Sequence, residues 1–162
     1  MLTLKKAEKE DLETVADLAK EIWHEHYDGL LGTSQVDYML QQFQSVPALS
    51  AQLEEGYFYK LMLKDGKPVG FYGAKPEKER MFLSKLYLRA EERGKGYARI
   101  AFDDLCAIAR AQGKSSVYLT VNKQNAGSIA VYRKFGFVMI EEVKTEIGQG
   151  YFMDDYIMET KL

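Results

Sequence analysis

The sequence predicts an α/β chain built on a mixed, mostly antiparallel sheet, and three observations carry that expectation. Residues 57–64 and 69–74 are aromatic-rich and apolar runs separated by Asp65-Gly66, the signature of an antiparallel hairpin. Residues 81–121 read as strand, glycine turn, helix and strand, a succession that demands a parallel crossover. Residues 137–143 and 151–160 then read as two further strands, joined by a loop through Gly148 and Gly150.

Length and composition bound the problem. A chain of 162 residues is expected to form one domain, 1–162, with room for a proper core. Hydrophobic residues at 46% and charged residues at 28% are ordinary for a globular protein, and a net charge of −2 provides no general attraction to nucleic acid or an anionic membrane. No apolar run is long enough to span a bilayer, and residues 1–7 lack the apolar core of a signal peptide. The lone Cys106 excludes an internal disulfide framework and fits a reducing, cytoplasmic compartment, where it reads as a packed thiol. Two histidines and one cysteine without ligand spacing predict no metal site.

Residues 2–6 alternate apolar and polar, a short half-buried strand. Asp11 is placed to cap a helix whose apolar face is Leu12, Val15, Ala16, Ala19, Ile22 and Trp23. His26 continues that face, as a hydrogen-bonded core histidine or a substrate contact, while His24 and Glu21 point away. Residues 29–32 are expected to break this helix. Ser34 is expected to cap a second, with Val36, Met39, Leu40 and Phe43 inward. Pro47 opens a short helical turn over residues 48–55. Tyr27, Tyr38, Met39 and Phe43 are core residues by default and lining residues of a substrate entrance in the sharper reading.

The most informative stretch is residues 81–98. A nearly unbroken apolar run over 81–88 suits a strand buried on both faces. After a polar turn comes Arg93-Gly94-Lys95-Gly96-Tyr97-Ala98, which leads directly into a helical pattern, Ala98, Ala101, Phe102, Leu105, Ile108 and Ala109. The first turn of a helix offers unpaired N–H groups and partial positive charge, and glycine lets an anion approach the backbone. Arg93, Lys95 and Arg99 add basic charge, so the local reading is a phosphate or pyrophosphate site. The spacing is not that of a P-loop, and Arg99 stands where a dinucleotide fingerprint needs its third glycine.

A second stretch follows one helix and one strand later. Asn125 is a good N-cap, Ile129 and Tyr132 recur at helical spacing, and Gly136 terminates the helix before Phe137. The run Arg93-x-x-Gly96-x-Ala98, followed by Asn125-x-x-Ser128-x-x-x-Tyr132-x-x-x-Gly136-Phe137, resembles the two signatures of the GCN5-related N-acetyltransferase (GNAT) superfamily, in the same order. The resemblance spans essentially the whole chain and is tightest over residues 83–137. It implies a sheet of about six to seven strands flanked by helices on both faces.

The resemblance also implies a chemistry: direct transfer of an acetyl group from acetyl-CoA, as cosubstrate, to a primary amine. Backbone at Leu86, Tyr87 and Leu88 would pair with the pantetheine chain, and the amides of Arg93, Gly94, Lys95, Gly96, Tyr97 and Ala98 would hold the pyrophosphate. Asn125 would bind the pantetheine arm. Tyr132 would protonate the leaving thiolate, a task a phenol with an ordinary pKa of about 10 can perform on a thiolate formed beside it. A backbone N–H near Leu88 would polarise the thioester carbonyl.

The acceptor side is less defined. Residues 80–88 contain no Asp or Glu, where several family members carry a glutamate base. Glu21, Glu25, His26, Asn122 through a water, and Asp154 are the candidates for contacting the amine or removing its proton. Asp154 and Asp155 lie inside an apolar strand and face opposite sides of it, either as amine partners or as edge charges that prevent strand pairing. The acceptor is a small amine, with a polyamine favoured, or a protein amino group. A regulatory module that binds acyl-CoA without turnover is the alternative, and a homodimer is compatible with the family. Nucleic-acid binding is disfavoured because Glu91 and Glu92 adjoin the basic loop.

Overall fold

A computed structural model describes all of residues 1–162. Its chain order is β1 (Leu2–Lys6), α1 (Leu12–Leu31), α2 (Thr33–Phe43), α3 (Val46–Glu54), β2 (Phe58–Lys64), β3 (Lys67–Pro76), β4 (Arg80–Leu88), α4 (Tyr97–Ala111), β5 (Ser116–Asn122), α5 (Ala126–Lys134), β6 (Val138–Gly148) and β7 (Tyr151–Lys161), with 3₁₀ turns at Lys9–Asp11 and Ala90–Glu92. The strands run in the order β1-β2-β3-β4-β5-β7-β6, a mixed α/β sheet of 7 strands. The expected crossover is present, since β4 and β5 pair in parallel. The chain forms two compact units, Met1–Lys75 with Lys85–Asp103, and Pro76–Ser84 with Asp104–Leu162. The division falls inside β4 and inside α4.

The first unit is built on the β1–β2–β3 meander. Asp65 and Gly66 both have positive φ (50° and 82°), which makes the β2–β3 turn the tight type whose twist matches antiparallel strands. The apolar face of α1 is buried as its periodicity predicts, through Leu12, Val15, Leu18, Ala19, Ile22 and Trp23. It packs on α2 and α3, which add Val36, Met39, Leu40 and Leu49 to the core. Each such side chain, fully buried, stabilises the fold by roughly 1.5–3 kcal/mol.

Three local expectations need correction here. Gly29 lies within α1 rather than breaking it; the stop is Gly32, at φ 86°, whose N–H donates to the Asp28 carbonyl at 3.0 Å. An interior glycine costs a helix only about 1 kcal/mol, whereas a positive φ ends it. The N-cap of α2 is this same Gly32, so Ser34 sits in the first turn. Asp11 does not cap α1 with its side chain, which instead accepts from the Glu8 N–H at 2.8 Å and from Lys5 at 3.0 Å.

The second unit holds β5, β7 and β6. β7 lies between the other two and is antiparallel to both. Its core includes Leu105, Ala109, Val117, Leu119, Phe137 and Met158, all buried, with Cys106 buried as expected. The Arg80 guanidinium lies 3.9 Å over the Tyr118 ring and 3.5 Å from Glu159, which also accepts from Ser116 Oγ at 2.6 Å. β6 runs to Gly148, beyond the expected end at residue 143, and turns into β7 through Gln149 and Gly150, both with positive φ. No helix is long and apolar enough to cross a membrane.

Candidate active site

The glycine loop sits where the sequence places it. β4 ends at Leu88, a 3₁₀ turn follows, and α4 begins at Tyr97. Gly94 and Gly96 have φ of 77° and 83°, values that favour glycine, and an added Cβ at either would meet no atom within 4 Å. Residues 93–96 are exposed. An open, left-handed backbone turn at the start of a helix of 15 residues is the geometry that receives a phosphate. These residues therefore leave room for an anion against the backbone.

The basic side chains around the loop are partly committed. Arg93 turns back and donates to the Leu88 carbonyl at 3.2 Å. Lys95 pairs with Glu92 at 3.2 Å, and Arg99 with Asp103 at 3.1 Å. The hydrogen bond from Lys95, helped by Lys64, holds the Glu92 carboxyl below its ordinary range. The loop thus relies on its backbone more than on free cations.

On β4, the ladder to β5 covers three residue pairs, from Arg80 with Ser116 to Phe82 with Tyr118. Within the first unit, Tyr87 packs edge-on against Trp23 (5.7 Å) and Phe71 (5.6 Å). Gly70 of β3 approaches so closely that a Cβ there would lie 2.3 Å from the Tyr87 carbonyl oxygen. The strand segment carrying Leu86, Tyr87 and Leu88 is therefore fixed by a glycine contact and an aromatic cluster.

Sequence reasoning missed Lys85. It is only 7% exposed and donates to Gln52 Oε1 (2.8 Å), the Phe43 carbonyl (3.1 Å) and the Tyr59 hydroxyl. The Tyr59 hydroxyl in turn donates to Gln52. Burial lowers the Lys85 ammonium from 10.5 to about 7 and pushes the Tyr59 phenol up. The signal was available: Met81, Leu83 and Lys85 alternate along one strand face, so a buried lysine was implied.

In the second unit, Asn125 is buried and caps α5, its Oδ1 accepting from the Ser128 N–H at 3.2 Å. Tyr132 is half-buried on α5 and meets Phe137 edge-on at 5.6 Å. Asn122 is committed to the turn, since its Oδ1 accepts from the Gln124 N–H at 2.9 Å and its carbonyl from the Asn125 N–H at 2.9 Å.

The acceptor-side candidates fare differently. Glu21 grips Arg89 with both oxygens, at 2.8 and 2.6 Å. The histidine with polar partners is His24, 2.8 Å from both Asp28 and Asp37, whereas His26 Nε2 is buried without a hydrogen bond and its ring lies edge-on to Tyr27. The expected hydrogen-bonded core histidine is thus not His26. Asp154 is half-exposed and pairs with Lys123 at 3.1 Å, and Lys123 also reaches Glu142 at 3.0 Å. The inward carboxylate is its neighbour Asp155, 6% exposed and raised from 3.8 to about 6 by burial and then by Asp154.

A conformationally open phosphate loop at a helix start, the second motif on α5 and the strand order together define a GNAT-type acyltransferase. A model of the Acetyltransferase (GNAT) family matches residues 14–137, and the chain belongs to that family. It is accordingly an N-acetyltransferase that uses acetyl-CoA as cosubstrate. A spermidine N(1)-acetyltransferase of Thermoplasma acidophilum is 26% identical over 165 residues, spanning 99% of this chain and 97% of the relative. The crystal structure of the PaiA N-acetyltransferase from Thermoplasma acidophilum, in complex with coenzyme A, superposes with a TM-score of 0.84 at 24% identity over 100% of this chain and 99% of that one. The ribosomal-protein-S18-alanine N-acetyltransferase of Escherichia coli gives a TM-score of 0.76 at 18% identity over 99% and 94%.

Proposed function

We propose that this enzyme acetylates a small polyamine-type amine by direct attack on acetyl-CoA, with Tyr132 as the general acid. The observation that carries the reading is the open Gly94–Gly96 turn at the N-terminus of α4, one 3₁₀ turn after the strand whose backbone is to pair with the pantetheine. The amides of residues 93–98 hold the pyrophosphate, and the backbone of Leu86, Tyr87 and Leu88 holds the pantetheine. Asn125, at the N-terminus of α5, serves the pantetheine arm. A backbone N–H near Leu88 polarises the thioester carbonyl.

Tyr132 then supplies its phenolic proton to the CoA thiolate as the carbon–sulfur bond breaks. The acceptor attacks as a free amine. Glu21 and Asp154 are held in ion pairs and Asn122 Oδ1 in its turn, whereas His26 Nε2 has no hydrogen bond, so His26 is the residue assigned to the acceptor side. The spermidine acetyltransferase relative supports a polyamine over a protein amine. A cytoplasmic location fits the single, buried free cysteine.

The test is release of CoA, followed with a thiol reagent, across polyamines, amino acids, aminoglycosides and peptides. Turnover with spermidine or a related polyamine above all others is the expected result. Turnover confined to peptides would refute the acceptor assignment.

A further inference from the structure

β7 buries a carboxyl group to which the fold gives no partner. Asp155 is 6% exposed, and no hydrogen bond or ion pair holds its side chain. Fully enclosed polar atoms without a partner occur at Trp23, His26 and Gln44 and not at Asp155, so its oxygens keep a narrow opening to solvent. Edge protection does not explain the residue. β7 lies between β5 and β6, and Asp155 stands opposite Asn122 on one side and Val143 on the other, both uncharged. Lys123 is already held by Asp154 at 3.1 Å and Glu142 at 3.0 Å, and both of those stand on the opposite face of the sheet. On its own face Asp155 is flanked by Met153 and Ile157, and Glu141, opposite Ile157, adds a second negative charge.

A carboxyl group in such a place is costly to bury. Burial, with Asp154 beside it, raises it to about 6, so at neutral pH it is largely ionised and calls for a cation. We propose that Asp155 binds an ammonium group of the acceptor other than the one that is acetylated, and so selects amines that carry two or more positive charges. The assignment rests on the polyamine reading above. The reacting nitrogen must attack as a free amine and then offers no charge to a carboxylate. A second amine of the same molecule, with an ordinary pKa of about 10.4, stays protonated and supplies the missing partner through a charge-assisted hydrogen bond.

The position adjoins the second motif within the same unit. The Lys123 N–H donates to the Asp154 carbonyl at 3.1 Å, and the Asn122 carbonyl accepts from the Asn125 N–H at 2.9 Å. Main-chain bonds thus tie the β7 segment that carries Asp155 to the N-terminus of α5. Tyr132 lies on that helix, about two turns further on.

The experiment is steady-state acetylation by the full chain as wild type and as Asp155→Asn. The amines are spermidine and a monoamine of similar length, the monoamine being read as a competitive inhibitor of spermidine where it is not turned over. Asp155→Asn is expected to raise KM for spermidine about tenfold or more, with kcat within about threefold and the monoamine constant within about twofold. An unchanged KM for spermidine would overturn the proposal, as would an equal loss for both amines, which places the carboxylate at the reacting nitrogen or in the fold. If wild type acetylates no polyamine, the polyamine reading fails and this assignment with it. Polyamine turnover indifferent to Asp155→Asn refutes this assignment alone. If the asparagine variant fails to fold, Asp155→Ser decides by the same comparison.

Discussion

Lys85 donates a hydrogen bond to the Tyr59 hydroxyl inside the first unit, and all three of its acceptors are uncharged. The ammonium is therefore buried without a counter-ion, which is why burial holds it at about 7 rather than 10.5. Between those two values the unfolded chain binds more protons than the folded one, so stability rises with pH across the window and the cost is fully present below it. Lys85→Met removes the cost, and Phe43 and Gln52 keep donors from Gln52 Nε2 and the Tyr59 hydroxyl. Urea denaturation of wild type should gain about 2–4 kcal/mol between about pH 7 and pH 9.5, and the variant should stay nearly flat.

Gly73 and Gly70 hold the two aromatic residues that frame this strand. A Cβ at Gly73 would sit 2.4 Å from the Tyr59 ring, and one at Gly70 would sit 2.3 Å from the Tyr87 carbonyl oxygen. Both alanine variants should destabilise, Gly73→Ala by about 2 kcal/mol and Gly70→Ala by more, because a ring can shift and main chain cannot. Thermal unfolding followed by circular dichroism gives the order directly.

Asp155 carries the opposite pH signature. Its folded carboxyl is raised to about 6, so the folded state binds more protons between about pH 4 and pH 6. Stability contributed by the neutral acid is present at low pH and lost as pH rises through that window. Asp155→Asn should gain about 1–3 kcal/mol at pH 7 and almost nothing at pH 4, read from denaturant midpoints at the two values.

Gly96 tests the loop. At φ 83° a β-branched side chain is strained even though the surrounding space is open. Gly96→Val should weaken acetyl-CoA binding about tenfold or more by calorimetry while the melting temperature falls only slightly.

Much of this architecture was legible in the sequence. The Asp65-Gly66 turn, the apolar run of β4, the glycine loop and the Asn125 cap marked the β2–β3 hairpin, the crossover from β4 to β5 and the starts of α4 and α5, because each is a local rule with few alternatives. What failed to show were non-local facts. Nothing in residues 137–161 announces that β7 inserts between β5 and β6. The polar second half of β6 reads as loop because an edge strand exposed on both faces has no apolar alternation to display. Lys85 was overlooked as a buried charge, since composition places lysine outside unless the surrounding strand pattern is given precedence, and of the pair Asp154 and Asp155 the sequence favoured Asp154 where the fold buries Asp155.

Under the proposed mechanism Tyr132 completes acetyl transfer from acetyl-CoA to an amine. The most direct test measures steady-state turnover with spermidine and acetyl-CoA affinity side by side for wild type and Tyr132→Phe. In the variant kcat is expected to be lower by about a hundredfold or more, with acetyl-CoA affinity unchanged within about twofold. An unaltered kcat in the phenylalanine variant would contradict it.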